Sequence, residues 1–208
     1  VTGSEQGTAR FYNIKVGDPD SNDPANVLIS SPNGNYGIVG GLLTSGSRVT
    51  AENINITNTT ISGGGTVGGV VGSLGNNNGP SNMDRVTITN STLETRTNSY
   101  LGGVVGNMYG NNNNNIISIH DVKVMDNNLI APDGADKVGK IVGAHTGAYY
   151  NKKEILKIYD TDSKNFTGPT TDMVLNCYVT SDYEDCDYFY YNDFKDLEYA
   201  EALYDILR

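Results

Sequence analysis

Four oxygen-bearing side chains that begin at Asp18 have the spacing of the start of a calcium-binding loop. Asp18, Asp20 and Asn22 stand at alternate positions and Asp23 follows them, and hard cations prefer clustered oxygen ligands of this kind. The rest of such a loop is missing, because Asp23 stands where glycine is expected and Ile29 occupies the twelfth position instead of glutamate. We therefore predict no calcium site, and no other metal or cofactor site in the chain.

The two histidines, His120 and His145, lie far apart in the chain without neighbouring cysteines. A lone histidine is more often structural or solvent-exposed than a metal ligand, so neither is predicted to bind metal. No G-x-S-x-G, H-E-x-x-H or Cys-His arrangement appears in the sequence. The expectation is a protein without catalytic residues, one that is not an enzyme.

Cys177 and Cys186 are the two cysteines, and they lie in a tyrosine-rich acidic stretch. Their close spacing permits a local disulfide as well as two free thiols. We favour the disulfide, which would fit an extracytoplasmic location.

Asparagine supplies two further candidate features. The run 111–115 could bind sugar through its amides, although a solvated turn is the simpler interpretation. Four N-x-S/T sequons, at Asn55, Asn58, Asn90 and Asn165, would be glycan sites in a eukaryotic secreted protein. In a bacterial protein they would reflect composition alone, which is the interpretation we favour.

Charge and composition exclude several classes of partner. The formal net charge is −10 at pH 7, which argues against DNA, RNA and anionic membrane surfaces as ligands. The 25 glycines, the lack of tryptophan and the excess of asparagine, threonine and serine suit turns and strands better than helices. No run of about 18 apolar residues occurs, so no membrane span is expected. Val1 does not begin a signal peptide, which suggests a trimmed mature segment.

A glycine-containing phrase recurs four times along the 208 residues and defines a repeat. It reads VGGLLT at 39–44, VGGVVG at 67–72, LGGVVG at 101–106 and VGKIVG at 138–143. After each phrase, apolar residues alternate with polar ones, which predicts a strand with one buried face. The apolar pairs are Ile54 and Ile56, Val86 and Ile88, Val122 and Val124, and Leu156 and Ile158, with an earlier copy at Ile14 and Val16.

A third apolar position follows the pair in the middle copies, at Ile61, Leu93 and Leu129, whereas the outer copies have Ser21 and Ser163 there. Three short strands per repeat are therefore predicted.

Stacking of about five such repeats would give an all-β fold, a short right-handed parallel β-solenoid. Stacked repeats bury an apolar face that no single repeat can bury, and the paired glycines are expected at tight corners or close backbone approaches. An antiparallel β-sandwich is the alternative. In the solenoid, one internal ladder is expected to contain Ile14, Ile54, Val86, Val122 and Leu156.

The composition changes at residue 172, which divides the single domain into a solenoid over 1–171 and a tyrosine-rich acidic cap over 172–208. Seven tyrosines lie between Tyr178 and Tyr204, where they could form a binding patch or cover the last coil. The acidic residues among them are Asp182, Glu184, Asp185 and Asp187. A capping α-helix is predicted near the end, with Asn192 or Asp193 as its N-cap. Its apolar stripe comprises Phe194, Leu197, Ala200, Leu203 and Leu207.

The glycine phrases, each followed by an N-or-D-x-aliphatic-x-aliphatic strand, resemble the GLUG-motif repeats of bacterial secreted and cell-surface proteins. The resemblance covers about residues 36–165, and Thr44 and Lys140 depart from it at the final and the second glycine of their phrases. It implies a segment of a larger adhesin- or fimbrillin-like protein, located outside the cell or at the outer membrane. We expect a monomeric, non-catalytic interaction module that binds an unidentified protein or glycan without membrane insertion.

Two alternatives to this function are a polysaccharide-active β-helix enzyme, either a lyase or a hydrolase, and a passive spacer. A lyase needs a basic residue near calcium-binding carboxylates, and Lys123 and Lys157 are expected to project outward from equivalent strands. No stack of outward carboxylates is expected beside them. Three or more outward carboxylates that converge in a cleft would favour the enzyme.

Overall fold

The computed structural model describes residues 4–5, 8–21, 27–31, 37–75, 79–109, 117–132, 138–146 and 156–164, and the regular secondary structure in these ranges is β-strand. In chain order the strands are β1 (Ser4–Glu5), β2 (Ala9–Val16), β3 (Val27–Ser30), β4 (Val39–Gly40), β5 (Leu43–Gly46), β6 (Val49–Thr57), β7 (Thr59–Gly63), β8 (Val67–Gly68), β9 (Val71–Gly75), β10 (Ser81–Thr89), β11 (Thr92–Thr95), β12 (Leu101–Gly102), β13 (Val105–Tyr109), β14 (Ile117–Met125), β15 (Asn128–Ile130), β16 (Val138–Gly139), β17 (Val142–Thr146) and β18 (Leu156–Lys164).

The strands form four sheets with parallel pairing. Sheet A has the order β1-β5-β9-β13-β17, sheet B β18-β14-β10-β6-β2, sheet C β15-β11-β7-β3 and sheet D β16-β12-β8-β4. Each sheet takes one strand from each turn of the chain, as a solenoid does. Four complete coils are stacked, each running from sheet B through C and D to A: coil 1 is β2 to β5, coil 2 β6 to β9, coil 3 β10 to β13 and coil 4 β14 to β17. The predicted all-β stack of parallel coils is confirmed.

Each coil contains four strands rather than the predicted three, because the glycine phrase bends in its middle. In coil 2 the phrase forms β8, a bend at Gly69 and Val70, and the start of β9. A Cβ at Gly69 would lie 2.5 Å from Cδ1 of Ile88 in the next coil, and closer still to the carbonyl oxygen of Gly103. Close approach of neighbouring coils therefore requires glycine at this corner, as predicted.

The predicted ladder is confirmed from the first coil to the fourth. Its first row contains Ile14, Ile54, Val86 and Val122, and the third-position row contains Ile61, Leu93 and Leu129. Apart from Ile14, these side chains are completely or almost completely buried. Burial of one such side chain contributes about 1.5 to 3 kcal/mol, so the rows account for much of the stability of the stack.

The predicted place of Leu156 in that ladder is wrong. Leu156 pairs with Ile117, and Thr161 is the residue that pairs with Val122. Strand β14 contains two alternating apolar pairs, at 117 and 119 and at 122 and 124, and the last repeat keeps an apolar pair only at the first of these positions. The apolar pair Leu156 and Ile158 therefore corresponds to Ile117 and Ile119 of β14, not to Val122 and Val124.

The third position of the first repeat was also misassigned. Ile29, rather than Ser21, pairs with Ile61 in sheet C. Coil 1 inserts residues 17–26 between its first two strands, whereas residue 58 alone separates β6 from β7. A fixed offset along the chain therefore fails in the first coil.

The interior contains two apolar clusters. The larger lies between sheets A and B and includes Leu43, Ile56, Ile88 and Met108, and the smaller lies between sheets C and D around Leu93. The edge strand β2 is less well covered, since Ile14 and Val16 are only partly buried.

The described residues include no helix that is long and apolar enough to cross a membrane. The predicted capping helix and the rest of 172–208 lie outside the described residues.

Candidate binding face

Sheet B presents the largest outer face, because its strands β6, β10, β14 and β18 each have nine residues. Strands β2, β6, β10 and β14 of this sheet each contain one residue with positive φ, at Asn13, Asn53, Arg85 and Asp121. A residue in this conformation interrupts the regular inward and outward alternation of side chains along the strand. As a result the positive-φ residue and the residue before it both avoid the core, and the outer face gains an additional row of polar side chains.

The row before these positions contains Tyr12, Glu52, Asp84 and His120, which are neighbours in the register of the sheet. Together with Arg85, the last three form what we call the charged cluster. Arg85 Nη2 donates to Oε1 of Glu52, and Arg85 Nη1 donates to Oδ2 of Asp84. His120 Nδ1 lies 3.0 Å from the other oxygen, Oδ1, of Asp84.

Burial differs within the charged cluster. The side chain of Asp84 is 10% exposed, while that of Arg85 is 49% exposed. A nearly buried carboxylate needs partners to offset its lost hydration, and Asp84 has two. The guanidinium and the imidazole are therefore fixed by Asp84 and still reach solvent, where they can contact a ligand.

Arg85 stands at a backbone position that the other strands give to asparagine or aspartate. Its φ is 52°, a left-handed conformation that Asn and Asp tolerate better than most side chains. The long side chain of Arg85 reaches the carboxylate of Asp84 on its own strand and that of Glu52 on the neighbouring strand β6. The arginine thus organises the charged cluster at a cost in backbone conformation.

The sequence pattern does not predict this cluster, because His120 is a lone histidine without neighbouring cysteines and no stack of outward carboxylates is expected. Glu52, Asp84 and His120 each lie two residues before the first apolar residue of their repeat, at Ile54, Val86 and Val122. The repeat alignment therefore contained the signal. Two carboxylates, Glu52 and Asp84, share Arg85 here, which is fewer than the three converging carboxylates that would favour a lyase.

Polar rows flank the charged cluster on both sides. One row contains Arg10, Thr50, Asn82 and Ser118, and the other contains Lys15, Asn55, Thr87 and Lys123. The Ser118 hydroxyl donates to Oδ1 of Asn82 at 2.7 Å. Lys123 and Lys157 lie in the paired strands β14 and β18, as predicted, but their positions do not match, because Lys123 pairs with Asp162 and Lys157 pairs with Ser118.

Two of the four sequon asparagines are parts of the fold. Asn58 is buried, and its Nδ2 donates to the carbonyl oxygens of Asp18 at 2.5 Å and Ser21 at 2.9 Å. Asn90 lies on the next coil and donates to Oδ1 of Asn58 at 2.7 Å. These amides form a stack at the turn between sheets B and C, whereas Asn55 lies on the outer face of sheet B.

The calcium-like segment is a turn in the part that is described. The backbone N–H of Asp20 donates to Oδ1 of Asp18 at 2.9 Å, which is a local turn contact, and Ile29 packs against the apolar cluster of sheets C and D. Asn22 and Asp23 lie outside the described residues. Within the described ranges, no group of three or more His, Cys, Asp or Glu side chains could hold a metal ion.

Several predicted features lie outside the described residues: the 111–115 run, Asn165, Cys177 and Cys186, and the tyrosine-rich segment with its helix. His145 is in β17, where it pairs in register with Met108, and its side chain also lies outside the described part. Comparison with known proteins found no matching family model, no matching curated protein and no matching solved structure.

Proposed function

We propose that this chain is a non-catalytic interaction module of a secreted or cell-surface bacterial protein, and that it binds a protein or glycan ligand through the outer face of sheet B. The observation that carries the proposal is the charged cluster of Glu52, Asp84, Arg85 and His120 on a sheet whose inward-facing side chains in β6, β10 and β14 are buried. Side chains fixed in advance bind with a smaller loss of entropy.

The chemistry of this face suits a ligand with many hydroxyl or amide groups. Carboxylates accept and the guanidinium donates hydrogen bonds, and the two signs of charge lie side by side at the charged cluster. Tyr12 is exposed in the same row, at the edge strand β2, and an exposed aromatic ring provides contact area at low entropic cost. A glycan or a polar protein surface fits these groups better than an apolar ligand.

The cellular context in this proposal rests on the resemblance of the glycine phrases to GLUG-motif repeats. The resemblance supports an adhesin- or fimbrillin-like protein outside the cell or at the outer membrane. The right-handed winding, the disulfide between Cys177 and Cys186 and the capped, monomeric state belong to the same proposal, and right-handed connections are the general rule for parallel strands.

A glycan array with two matched variants tests the binding face. Thr87 and Thr92 are half-buried residues of the same coil, on the outer faces of sheet B and sheet C respectively. We expect Thr87→Glu to weaken glycan binding at least about tenfold, because it adds a charge beside the charged cluster, and Thr92→Glu to leave binding within about twofold. Equal losses in both variants would place the binding surface elsewhere, and a silent array would favour the passive spacer.

The second candidate function is a polysaccharide-active enzyme. The observation in its favour is the pair of His120 Nδ1 and Asp84 Oδ1 at 3.0 Å on the same outer face, since a histidine held by a carboxylate can act as an acid or base. Release of unsaturated sugar from acidic polysaccharides by the parent chain, and its loss in His120→Ala, would establish the lyase. Release of reducing ends without unsaturation would indicate a hydrolase.

A further inference from the structure

Thr44 and Lys140, the two departures from the glycine phrase, occupy opposite ends of the stack. Thr44 replaces the final glycine in coil 1, and Lys140 replaces the second glycine in coil 4. The two glycine positions differ in the direction in which a side chain would point, and this difference explains where each can be replaced.

A side chain at the second glycine points toward the following coil. A Cβ at Gly41 would lie 3.0 Å from Cδ1 of Ile56 in coil 2, and a Cβ at Gly103 would lie 2.9 Å from Cγ1 of Val124 in coil 4. A backbone carbonyl oxygen at the corner of the following coil is nearer still. For Gly41 it is the oxygen of Gly69, and for Gly103 it is the oxygen of Lys140. Backbone cannot move away as a flexible side chain can, so each of these corners needs glycine as long as another corner follows it.

A side chain at the final glycine points toward the preceding coil instead. A Cβ at Gly72 would lie 2.7 Å from the carbonyl oxygen of Thr44, and a Cβ at Gly106 would lie 2.6 Å from the carbonyl oxygen of Gly72. Thr44 itself belongs to the first glycine corner of the chain. Each replacement thus falls on the side of the stack where no further glycine corner is described.

The sequence of β18, the strand that follows Lys140 in the chain, fits this interpretation. The core position that faces the second glycine is Ile88 above Gly69 and Val124 above Gly103. In β18 the residue that pairs with Val124 is Ser163, so the bulky aliphatic position is lost in the strand that follows Lys140. No glycine phrase occurs after residue 143.

We infer that Lys140 is a stop for coil stacking: its side chain occupies the space that a fifth glycine corner would need, whether that corner came from this chain or from a second copy. Thr44 has the same role on the opposite side, where β1 adds a strand to sheet A without a described glycine corner. Sheet B gains one more strand after Lys140, because β18 pairs with β14. In the described residues, coil 4 is the last coil with a corner between sheets D and A. The long aliphatic part of a lysine side chain can cover apolar surface at the end of the core.

Two lengthened chains test the stop directly. In each, a second copy of residues 107–143 is inserted after Gly143, so that the original corner of coil 4 becomes internal. One chain keeps Lys140 in the internal corner, and the other has Lys140→Gly there. We expect the glycine chain to melt cooperatively and the lysine chain to melt at least about 5 °C lower or to aggregate. Melting temperatures within about 2 °C of each other would overturn the inference.

A pair of parent-length variants decides the case if neither lengthened chain folds. Gly103→Ala is expected to lower the melting temperature by at least about 5 °C, because its methyl group meets the backbone of coil 4, and Lys140→Gly is expected to change it by less than about 2 °C. If Gly103→Ala melts with the parent, or if Lys140→Gly is as harmful as Gly103→Ala, Lys140 is not a stop.

Discussion

At the scale of single residues, left-handed backbone positions determine which side chains each coil can use. One row of such positions lies within sheet B and another lies at the turn into sheet C, where Asn58, Asn90 and Asp126 have φ values of 48°, 53° and 56°. Asparagine and aspartate adopt this conformation at lower cost than other residues with a Cβ. The abundance of asparagine in the sequence is thus explained in part by the geometry of the coil.

The amide of Asn58 provides the sharpest test of this turn. Asn58→Ala removes two hydrogen bonds to the carbonyl oxygens of Asp18 and Ser21 and the acceptor for Asn90, and it leaves alanine with positive φ. We expect a loss of about 2 to 4 kcal/mol in the free energy of unfolding. Asn55→Ala, on the outer face of the preceding strand β6, should cost less than about 1 kcal/mol. Urea unfolding measures both, and equal midpoints would show that the asparagine stack is not structural.

Inward and outward positions of β10 should respond differently to the same charge. Ile88 is completely buried and Thr87 lies on the outer face beside Asn55 and Lys123. Ile88→Asp should cost more than about 4 kcal/mol, because it buries an unpaired carboxylate, whereas Thr87→Asp should cost less than about 1 kcal/mol. Thermal melts of the two variants check the assignment, which fails if their melting temperatures are similar.

At the scale of elements, a strand in the middle of the stack is held on both sides and an edge strand on one. Strand β10 pairs with both β6 and β14, while β2 pairs with β6 and stands at the edge of sheet B in the described chain. The side chains of β2 are correspondingly less buried. In sheet C, Ile29 of the edge strand β3 is only partly buried, whereas its register partner Ile61 in β7 is completely buried. Local stability should therefore rise from the first coil to the third.

Hydrogen exchange monitored by mass spectrometry can measure this gradient. We expect the amides of β2 to exchange at least about tenfold faster than those of β10, which corresponds to an opening free energy about 1.4 kcal/mol lower. The core strands β6 and β10 serve as the internal comparison. Uniform protection from β2 to β10 would mean that the first coil opens only with the whole stack.

The elements also show how far the sequence could predict the fold. The alternation of apolar and polar residues repeats every two residues, so it identifies a strand and its buried face. It does not show which of two apolar pairs in a nine-residue strand is the register partner of the pair in the next coil. Leu156 was misplaced for this reason, and Ile29 was overlooked because an insertion shifts it along the chain. The corner glycines were predicted correctly, since four copies of one phrase leave little freedom in their alignment.

The charged cluster was missed for a different reason. Its acidic and histidine members come from three separate coils, Glu52 from β6, Asp84 from β10 and His120 from β14, so each looks isolated in the sequence. Arg85 differs from the Asn or Asp of the other strands, and no rule of composition predicts an arginine in a left-handed conformation. Contacts between coils become visible only when the register is known.

At the scale of the whole molecule, stability comes from contacts between successive coils, so the two ends need special treatment. Lys140 and Thr44 provide it at the glycine corners. The amphipathic stripe over 194–207 remains the predicted cover for the C-terminal end of the other sheets.

Deletion of residues 193–208 tests that cover. We expect the inner coils to fold while the shortened protein forms oligomers or aggregates, because unpaired strand edges associate with other chains. Size-exclusion chromatography with light scattering measures the change against the full chain. A truncated protein that stays monomeric with an unchanged melting temperature would show that this segment is a tail.

The order of strands within each sheet follows the order of the chain, and this has a mechanical consequence. When the two ends of the protein are pulled apart, the load falls on the outermost coil, whose strands can be peeled from their neighbours one after another. Each peeled coil between Ile54 and Val86, which are register partners, would release roughly 100 Å of extended chain. Under tension such a stack would therefore lengthen in steps, one coil at a time.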